Sequence, residues 1–220
     1  MTYNKVWDYF EEIYCINLDR RHDRWEHAIK EFSFVGVLDR VQRVSAVEHK
    51  DGRIGLIKSF LKIFKDVQER NVENVLIFED DVHFIPENNP IGTLEKSITQ
   101  MGSIEWSLFY LGANTHERCN VFRPNLILLK NAFSAHAVAY SHKTYKQIIE
   151  KFENTNEIKS INDINDVFFC KEIQNKRTSF MVNPIIATQY PSYSDLEKKD
   201  VNYSFIEERF KINTKNIKLT

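Results

Sequence analysis

Val75-Leu76-Ile77-Phe78-Glu79-Asp80-Asp81-Val82 is the stretch on which the reading of this chain turns. Four apolar residues in a row read as a strand buried on both faces. Three carboxylates follow at once, where that strand should leave the sheet. Adjacent negative charges repel, and burying any of them unpaired is costly. A triplet at the end of a core strand therefore calls for a cation. Oxygen-only ligands suit Mg²⁺ or Mn²⁺ rather than zinc. In an open α/β sheet, ligands bind outside the carboxyl ends of the strands, where this triplet should lie. Side chains alternate along a strand, so Glu79 and Asp81 can share one ion while Asp80 faces elsewhere. The competing reading is an acidic turn that only solvates the strand end.

Working outward, Glu12 to Leu18 is short and β-rich, a first strand. A densely charged turn follows, Asp19 to Arg24. Trp25, Ala28, Ile29 and Phe32 then recur at helical spacing, so a helix starts near Asp23. Val41 to Val47 reads as a second strand. Leu56, Phe60, Phe64 and Val67 form a helical stripe. Beyond the triplet come a helix near Ile91 to Met101 and a strand from Trp106 to Leu111. A strand from Ala135 to Tyr140 precedes a helix carrying Tyr145, Ile148, Ile149 and Phe152. Asn162 or Asp163 is expected to cap a helix carrying Ile164, Val167, Phe168 and Ile173. Ser179 to Val182 is a late strand, and Thr188 to Asp195 a polar, tyrosine-rich loop. Strands alternating with helices give an α/β sandwich. A single domain is expected over 1–210, followed by a polar tail, 211–220, that frays.

The chain has 220 residues, enough to bury a core without a disulfide or metal staple. A formal net charge of −1 gives no sign of nucleic-acid affinity or of a polybasic membrane surface. Cys15, Cys119 and Cys170 are odd in number and widely spaced, and read as buried free thiols in a reducing compartment. No apolar stretch approaches a membrane span, and the N-terminus has no signal-peptide core. A soluble, cytoplasmic protein is expected, at most peripheral at a membrane. The sequence carries no signal for an oligomeric state.

Several residues beyond the triplet have the types that chemistry needs. Arg20, Arg21 and Arg24 stand at the mouth of the first strand, where guanidinium forks and a helix N-terminus suit a nucleotide's phosphates. Equally, they fit a solvated helix start with internal pairs to Asp19 and Asp23. Asp163 fits a cap. Asp166 abuts the apolar run Val167 to Cys170, where a carboxylate with a raised pKa can act as a general base. His136 sits in a strand of small residues and reads as structural or as cleft-lining. The seven histidines show no metal-ligand spacing. There is no P-loop, Gly-rich dinucleotide fingerprint or Gly-x-Ser-x-Gly elbow.

Taken in order, these pieces resemble a known family. Ile16 to Trp25 resembles the opening segment of family 25 glycosyltransferases, which include bacterial lipooligosaccharide and collagen galactosyltransferases. Gly52 to Phe60 resembles the family's Gly-Glu-Ile-Gly-Cys-x-x-Ser-His element, with Arg53 in place of the acid and Phe60 in place of the histidine. Val75 to Val82 matches its apolar strand and Glu-Asp-Asp motif. Phe109-Tyr110-Leu111-Gly112, Ala135 to Ser141, Asp166-Val167-Phe168, and Gln189 with Ser194-Asp195-Leu196 resemble its later elements.

The resemblance implies a GT-A-like, nucleotide-sugar-binding sandwich with a central, mostly parallel sheet. It implies a UDP-sugar donor (often UDP-galactose), Mn²⁺ or Mg²⁺, a glycan or glycoconjugate acceptor, and inversion at the anomeric carbon. Carried over by position, Asp81 and Glu79 are the metal ligands. Asn17, Asp19, Arg20, Arg21, Ser59, Glu79, Asp80, His136, Gln189 and Ser194 lie on the donor side. Asp166 is the expected base and Asp195 the next candidate. Two rival classes use the same residues: a metal-dependent phosphatase or nuclease, which would need a second ligand cluster, and a non-catalytic sugar- or partner-binding domain on a degenerate transferase fold.

Overall fold

The apolar runs become strands and the stripes become helices in the order expected. The computed structural model describes residues 4–214. In chain order it contains β1 (Glu12–Asn17), α1 (His22–Phe34), β2 (Val41–Ser45), α2 (Gly52–Glu69), β3 (Asn74–Glu79), β4 (Val82–Phe84) and α3 (Pro90–Met101). Then come β5 (Leu108–Tyr110), β6 (Asn114–Thr115), β7 (Asn120–Arg123), β8 (Leu126–Leu128), β9 (Ala132–Phe133), β10 (Ala137–Ser141) and α4 (His142–Glu153). The last elements are α5 (Asn165–Phe168), β11 (Ser179–Val182), β12 (Ala187–Gln189), β13 (Ser192–Ser194), β14 (Lys199–Val201) and α6 (Phe205–Thr214).

Eight strands form the central sheet, in the order β2-β1-β3-β10-β5-β11-β8-β7. β10 and β8 run against the others, so the sheet is mostly parallel in strand direction. Alternation along β1 and β3 divides the core. Tyr14, Ile16, Val75 and Ile77 face α2 and α4, whereas Ile13, Cys15, Leu76 and Phe78 face α1 and α3. Helices on both sides make β3 apolar at four consecutive buried positions, Val75 to Phe78. Parallel register sets Ile16 beside Glu79, so the ends of β1 and β3 open at one rim of the sheet.

Four local expectations need correction. Thr188 to Asp195 is not a plain loop: β12 pairs with β4, and β13 forms a hairpin with β14. Asp163 does not cap the following helix. It closes a short 3₁₀ turn, Ile161–Asp163, capped by Ser160, and it pairs with Lys151 at 2.9 Å. Ile164 is extended (ψ 134°), so α5 starts afresh at Asn165 and continues as a π-helical turn over Phe169–Gln174. The polar stretch from 211 begins as helix, because α6 runs to Thr214. There Asn213 donates to Thr115 O at 2.9 Å and accepts from Cys119 N at 3.1 Å. Residues 215–220 lie outside the described part. Cys15, Cys119 and Cys170 are all buried and unpaired with one another. Among the described residues no helix is long and apolar enough to cross a membrane.

Candidate functional site

A cleft of about 590 Å³ opens at the rim where β1 and β3 end. Ile16, Leu18, Arg20 and Arg24 form one wall. The segment from Ala46 to Lys50 with Gly52 and Leu56 of α2 forms another, and Tyr193 to Leu196 with Lys198 the outer side. Glu79, Asp80, Asp81 and Gln189 all line it.

The three carboxylates have different surroundings. Asp80 is buried and held on both oxygens: Arg24 Nη1 donates to Oδ1 at 2.8 Å and Asn17 Nδ2 to Oδ2 at 2.6 Å. Burial raises its pKa, and the charge and hydrogen bonds of Arg24 and Asn17 offset only part of that. Asp81 is equally buried. Its Oδ2 receives Gln189 Nε2 at 3.3 Å and lies 3.5 Å from Arg24 Nη2, but its Oδ1 has no hydrogen-bond partner among the described residues. Burial raises this carboxyl as well, against the pull of Arg24. Glu79 is half-buried and lies on the α2 side of the sheet, by alternation from Ile77. Burial, followed by the charges of Asp81, Asp166 and Asp80, pushes it well above the usual carboxylate range.

Arg24 is thus a resident cation for the triplet, so repulsion among the three carboxylates does not by itself require a bound ion. One guanidinium does not offset three crowded carboxylates, and the raised Glu79, Asp80 and Asp81 mark a cost that a bound divalent ion would relieve. The orphaned Asp81 Oδ1 and the adjacent Glu79 are all-oxygen donors of the kind hard cations take, so the residues fit Mn²⁺ or Mg²⁺.

Asp166 does not line the cleft, yet it lies near enough to Glu79 for their charges to interact. Ser134 N donates to its Oδ2 at 2.9 Å and Asn165 Nδ2 to its Oδ1 at 3.2 Å. Burial nevertheless lifts it to about 6. Asp195 lines the cleft but is clasped by two arginines, with Arg20 Nη2 at 2.7 Å and Arg21 Nη1 on its other oxygen. Burial pushes Asp195 up, but the two arginines outweigh it and leave the carboxyl below its usual range. A carboxylate so paired is a poor proton acceptor at neutral pH.

Several residues expected on the donor side sit beneath or beside the cleft rather than in it. Asn17 is buried and acts as a cross-link, accepting from Arg43 Nη2 at 2.6 Å while donating to Asp80. Ser59 is buried and ties Val47 N to Gly55 O, each at 2.8 Å. That bond holds the Ala46–Lys50 wall against α2, where Gly55 is needed because any Cβ would run into Val47 O. His136 is fully buried, and burial lowers it to about 4, so it is neutral. Its backbone carbonyl accepts Glu79 N at 3.0 Å, and its ring packs by Gly112. Asp19 is exposed and takes bonds from Arg43 and from Ser45 Oγ at 2.9 Å. Ser194 is buried at the cleft wall and caps Glu197 N at 3.1 Å. Arg21 lies behind the wall, donating to Tyr193 O at 3.1 Å.

Two residues emerge from the geometry with more weight than their sequence context gave them. Arg24 was one of three arginines in a charged turn. Only its place one turn into α1, facing the end of β3, singles it out. Arg43 sits in a strand that reads simply as half-polar.

The family model for glycosyltransferase family 25 (LPS biosynthesis protein) matches residues 42–158, more than half of the chain. The human protein named inactive glycosyltransferase 25 family member 3 is 29% identical over 133 residues, covering 47% of this chain and 22% of that protein. Human procollagen galactosyltransferase 2 is 28% identical over 130 residues, covering 47% and 21%. The match thus spans about a fifth of the length of these curated relatives. A solved glycosyltransferase involved in glycosylation of the major capsid of PBCV-1 superimposes with a TM-score of 0.41 at 12% identity, covering 67% of each chain.

Proposed function

From the premise that the chain belongs to glycosyltransferase family 25, we propose that it transfers a hexose from a nucleotide-sugar donor to a hydroxyl of a glycan or glycoconjugate acceptor. UDP-galactose is the first donor to test, since one relative is named a galactosyltransferase. The names of the family and of that relative point to a lipopolysaccharide or a protein-linked acceptor respectively. A cytoplasmic enzyme, peripheral at a membrane, would meet the first of these as a lipid-linked precursor. The observation that carries the reading is Asp81 Oδ1, buried without a partner beside Glu79 in a cleft at the end of β3.

In this mechanism Asp81 and Glu79 would hold Mn²⁺ or Mg²⁺, and such an ion would supply positive charge opposite the diphosphate leaving group. Lys50 and Lys198 line the same cleft as the carboxylates and would meet a donor's phosphates once an ion offsets Glu79 and Asp81. Arg24 holds Asp80 in place and also approaches Asp81, so that Asp81 is presented in one orientation. Asp166, set back from the cleft beyond Glu79, would receive the acceptor hydroxyl's proton through one water as the acceptor oxygen attacks the anomeric carbon from the face opposite the diphosphate. With a pKa of about 6 it is ionised at neutral pH and still basic enough to accept the proton. One displacement inverts the configuration, so one base suffices.

The test is donor binding by calorimetry, with and without Mn²⁺, for the parent and Asp81→Ala. Binding of UDP-sugars that requires Mn²⁺ in the parent and is lost in the variant supports the reading. Mn²⁺-dependent binding that survives in Asp81→Ala would overturn the metal assignment. A second reading, a donor-binding domain without turnover, is favoured by Arg24, whose guanidinium already occupies the space beside Asp80 and Asp81. A relative named inactive is in keeping with it. Donor bound without any hydrolysis or transfer, in the presence of Mn²⁺, would select this second reading.

A further inference from the structure

Outside the cleft, one group of side chains among the described residues has the composition of a metal site. His27 and Glu31 are four residues apart on α1 and share one face of it. That face lies against β4, which contributes His83. One ring nitrogen from each histidine and one oxygen of Glu31 all lie within 4.8 Å of one another. His83 Nδ1 is 3.1 Å from Glu31 Oε1. The other oxygen, Oε2, accepts Phe84 N at 2.7 Å, which fixes the carboxylate as outer-shell partners fix metal ligands. His27 Nε2 stands 3.0 Å from Val82 O, and Tyr190 stacks on the His27 ring at 4.1 Å. All three candidate ligands are partly buried, which lowers competition from water without closing the approach.

We propose that His27, Glu31 and His83 bind one Zn²⁺, or a similar borderline divalent ion, at a site separate from Glu79 and Asp81. Two imidazoles and a carboxylate suit zinc, whereas the all-oxygen triplet suits a harder ion. Bonds of about 2.0–2.1 Å place the ligands of a tetrahedral zinc roughly 3.4 Å apart. The Glu31–His83 pair is already near that spacing, and His27 needs a shift of about 1 Å or a little more to join it. The ion replaces the hydrogen that joins His83 to Glu31, and any proton carried there leaves to solvent. A water completes the shell. No characteristic spacing announces such a site, because His83 comes from a strand far along the chain from α1. The bound ion would clamp α1 to β4 two residues past Asp81, under the ring of Tyr190. The proposal stands independently of the transferase reading.

The test uses full-length protein stripped of metal with a chelator, titrated with Zn²⁺ by calorimetry and with Co²⁺ by visible absorption. The expected result is one equivalent of Zn²⁺ bound by the parent and by Asp81→Asn. His27→Asn and His83→Gln, tested singly, should each bind at least tenfold more weakly. The intense visible bands of tetrahedral Co²⁺ should fade in the same two variants. Zn²⁺ should raise the melting temperature of the parent but not of either histidine variant, a readout that also shows the variants are folded. No specific Zn²⁺ uptake by the parent, or equal uptake in both histidine variants, overturns the proposal. So does zinc that is lost in Asp81→Asn and kept in His83→Gln, because the ion would then sit at the triplet.

Discussion

Asp80 and Asp81 are neighbours in sequence and equally buried, yet the molecule treats them as opposites. On one side, Asp80 meets Arg24 and Asn17, and both of its oxygens are satisfied. On the other, Asp81 keeps an orphaned oxygen, and Glu79 and Asp166 crowd a region where no cation offsets them fully. The first half has the character of scaffold and the second of chemistry. A run of like residues does not share one role; partners assign the roles one carboxylate at a time. A satisfied carboxylate contributes to the fold, while an unsatisfied one is held at a cost that only a ligand or a reaction can offset.

The largest test of this contrast sets Asp166 against Asp195. Asp166→Asn keeps the shape but cannot accept a proton, and should slow turnover by roughly 10²–10⁴-fold with donor affinity nearly unchanged. Asp195→Asn loosens Arg20 and Arg21, which keep Glu48 and Asp23 as partners, and should act mainly on KM for the donor, leaving kcat within a few-fold. Steady-state kinetics on both variants decide it. The reverse pattern would place the base on the paired side and break the comparison.

Next in size is the removal of the resident cation. Arg24→Gln leaves Asp80 and Asp81 buried without their countercharge, a loss of about 3–5 kcal/mol for a buried pair broken on one side. Denaturant unfolding in chelator should show the loss, and Mn²⁺ should restore part of it. A variant as stable as the parent would mean that Arg24 contributes nothing to the scaffold half.

The pH dependence comes third. Asp166 sits at about 6 in the folded chain against an ordinary 3.8, so the folded state holds its proton longer than the unfolded state does. Its contribution to stability is therefore greatest below pH 3.8 and falls as pH rises towards 6. At about 1.4 kcal/mol per pH unit, the ionised carboxylate costs up to roughly 3 kcal/mol at neutral pH. Unfolding of metal-free parent should lose stability relative to Asp166→Asn between pH 4 and 6, while turnover rises over the same range as the base ionises. Parallel curves for the two proteins would show that Asp166 is not held at a cost. The smallest effect is expected at the thiols. Cys15, Cys119 and Cys170 should resist alkylation in the native protein and all react in urea, as counted by mass spectrometry.

Much of this architecture is legible in the sequence because burial on two faces writes itself as unbroken apolar runs. Val75 to Phe78 and the stripe through Phe60, Phe64 and Val67 are of this kind. The extended Ile164 is not, since apolar periodicity runs straight across it and the break lies in a backbone angle. The β13–β14 hairpin is equally hidden, its strands being short, polar and tyrosine-bearing. At the site, residue types were readable and partnerships were not. Arg20, Arg21 and Asp195 each look like a free functional group until the fold joins residues from opposite ends of the chain. Ser59 likewise reads as a ligand contact, while its hydroxyl in fact closes a bond between Val47 and Gly55.

The clasp of Asp195 by Arg20 and Arg21, with Arg24 reaching Ser192 Oγ at 2.9 Å and Tyr193 O at 3.1 Å, has a consequence for exchange kinetics. It fastens the outer wall of the cleft to the start of α1 through charge and polar contacts. Such contacts weaken as salt rises, with a screening length of about 8 Å at physiological ionic strength. Apolar packing does not weaken in this way. For the donor proposed above, the rates of entry and release should thus follow ionic strength more steeply than the melting point of the fold does. The doorway and the house would then answer to different solvents.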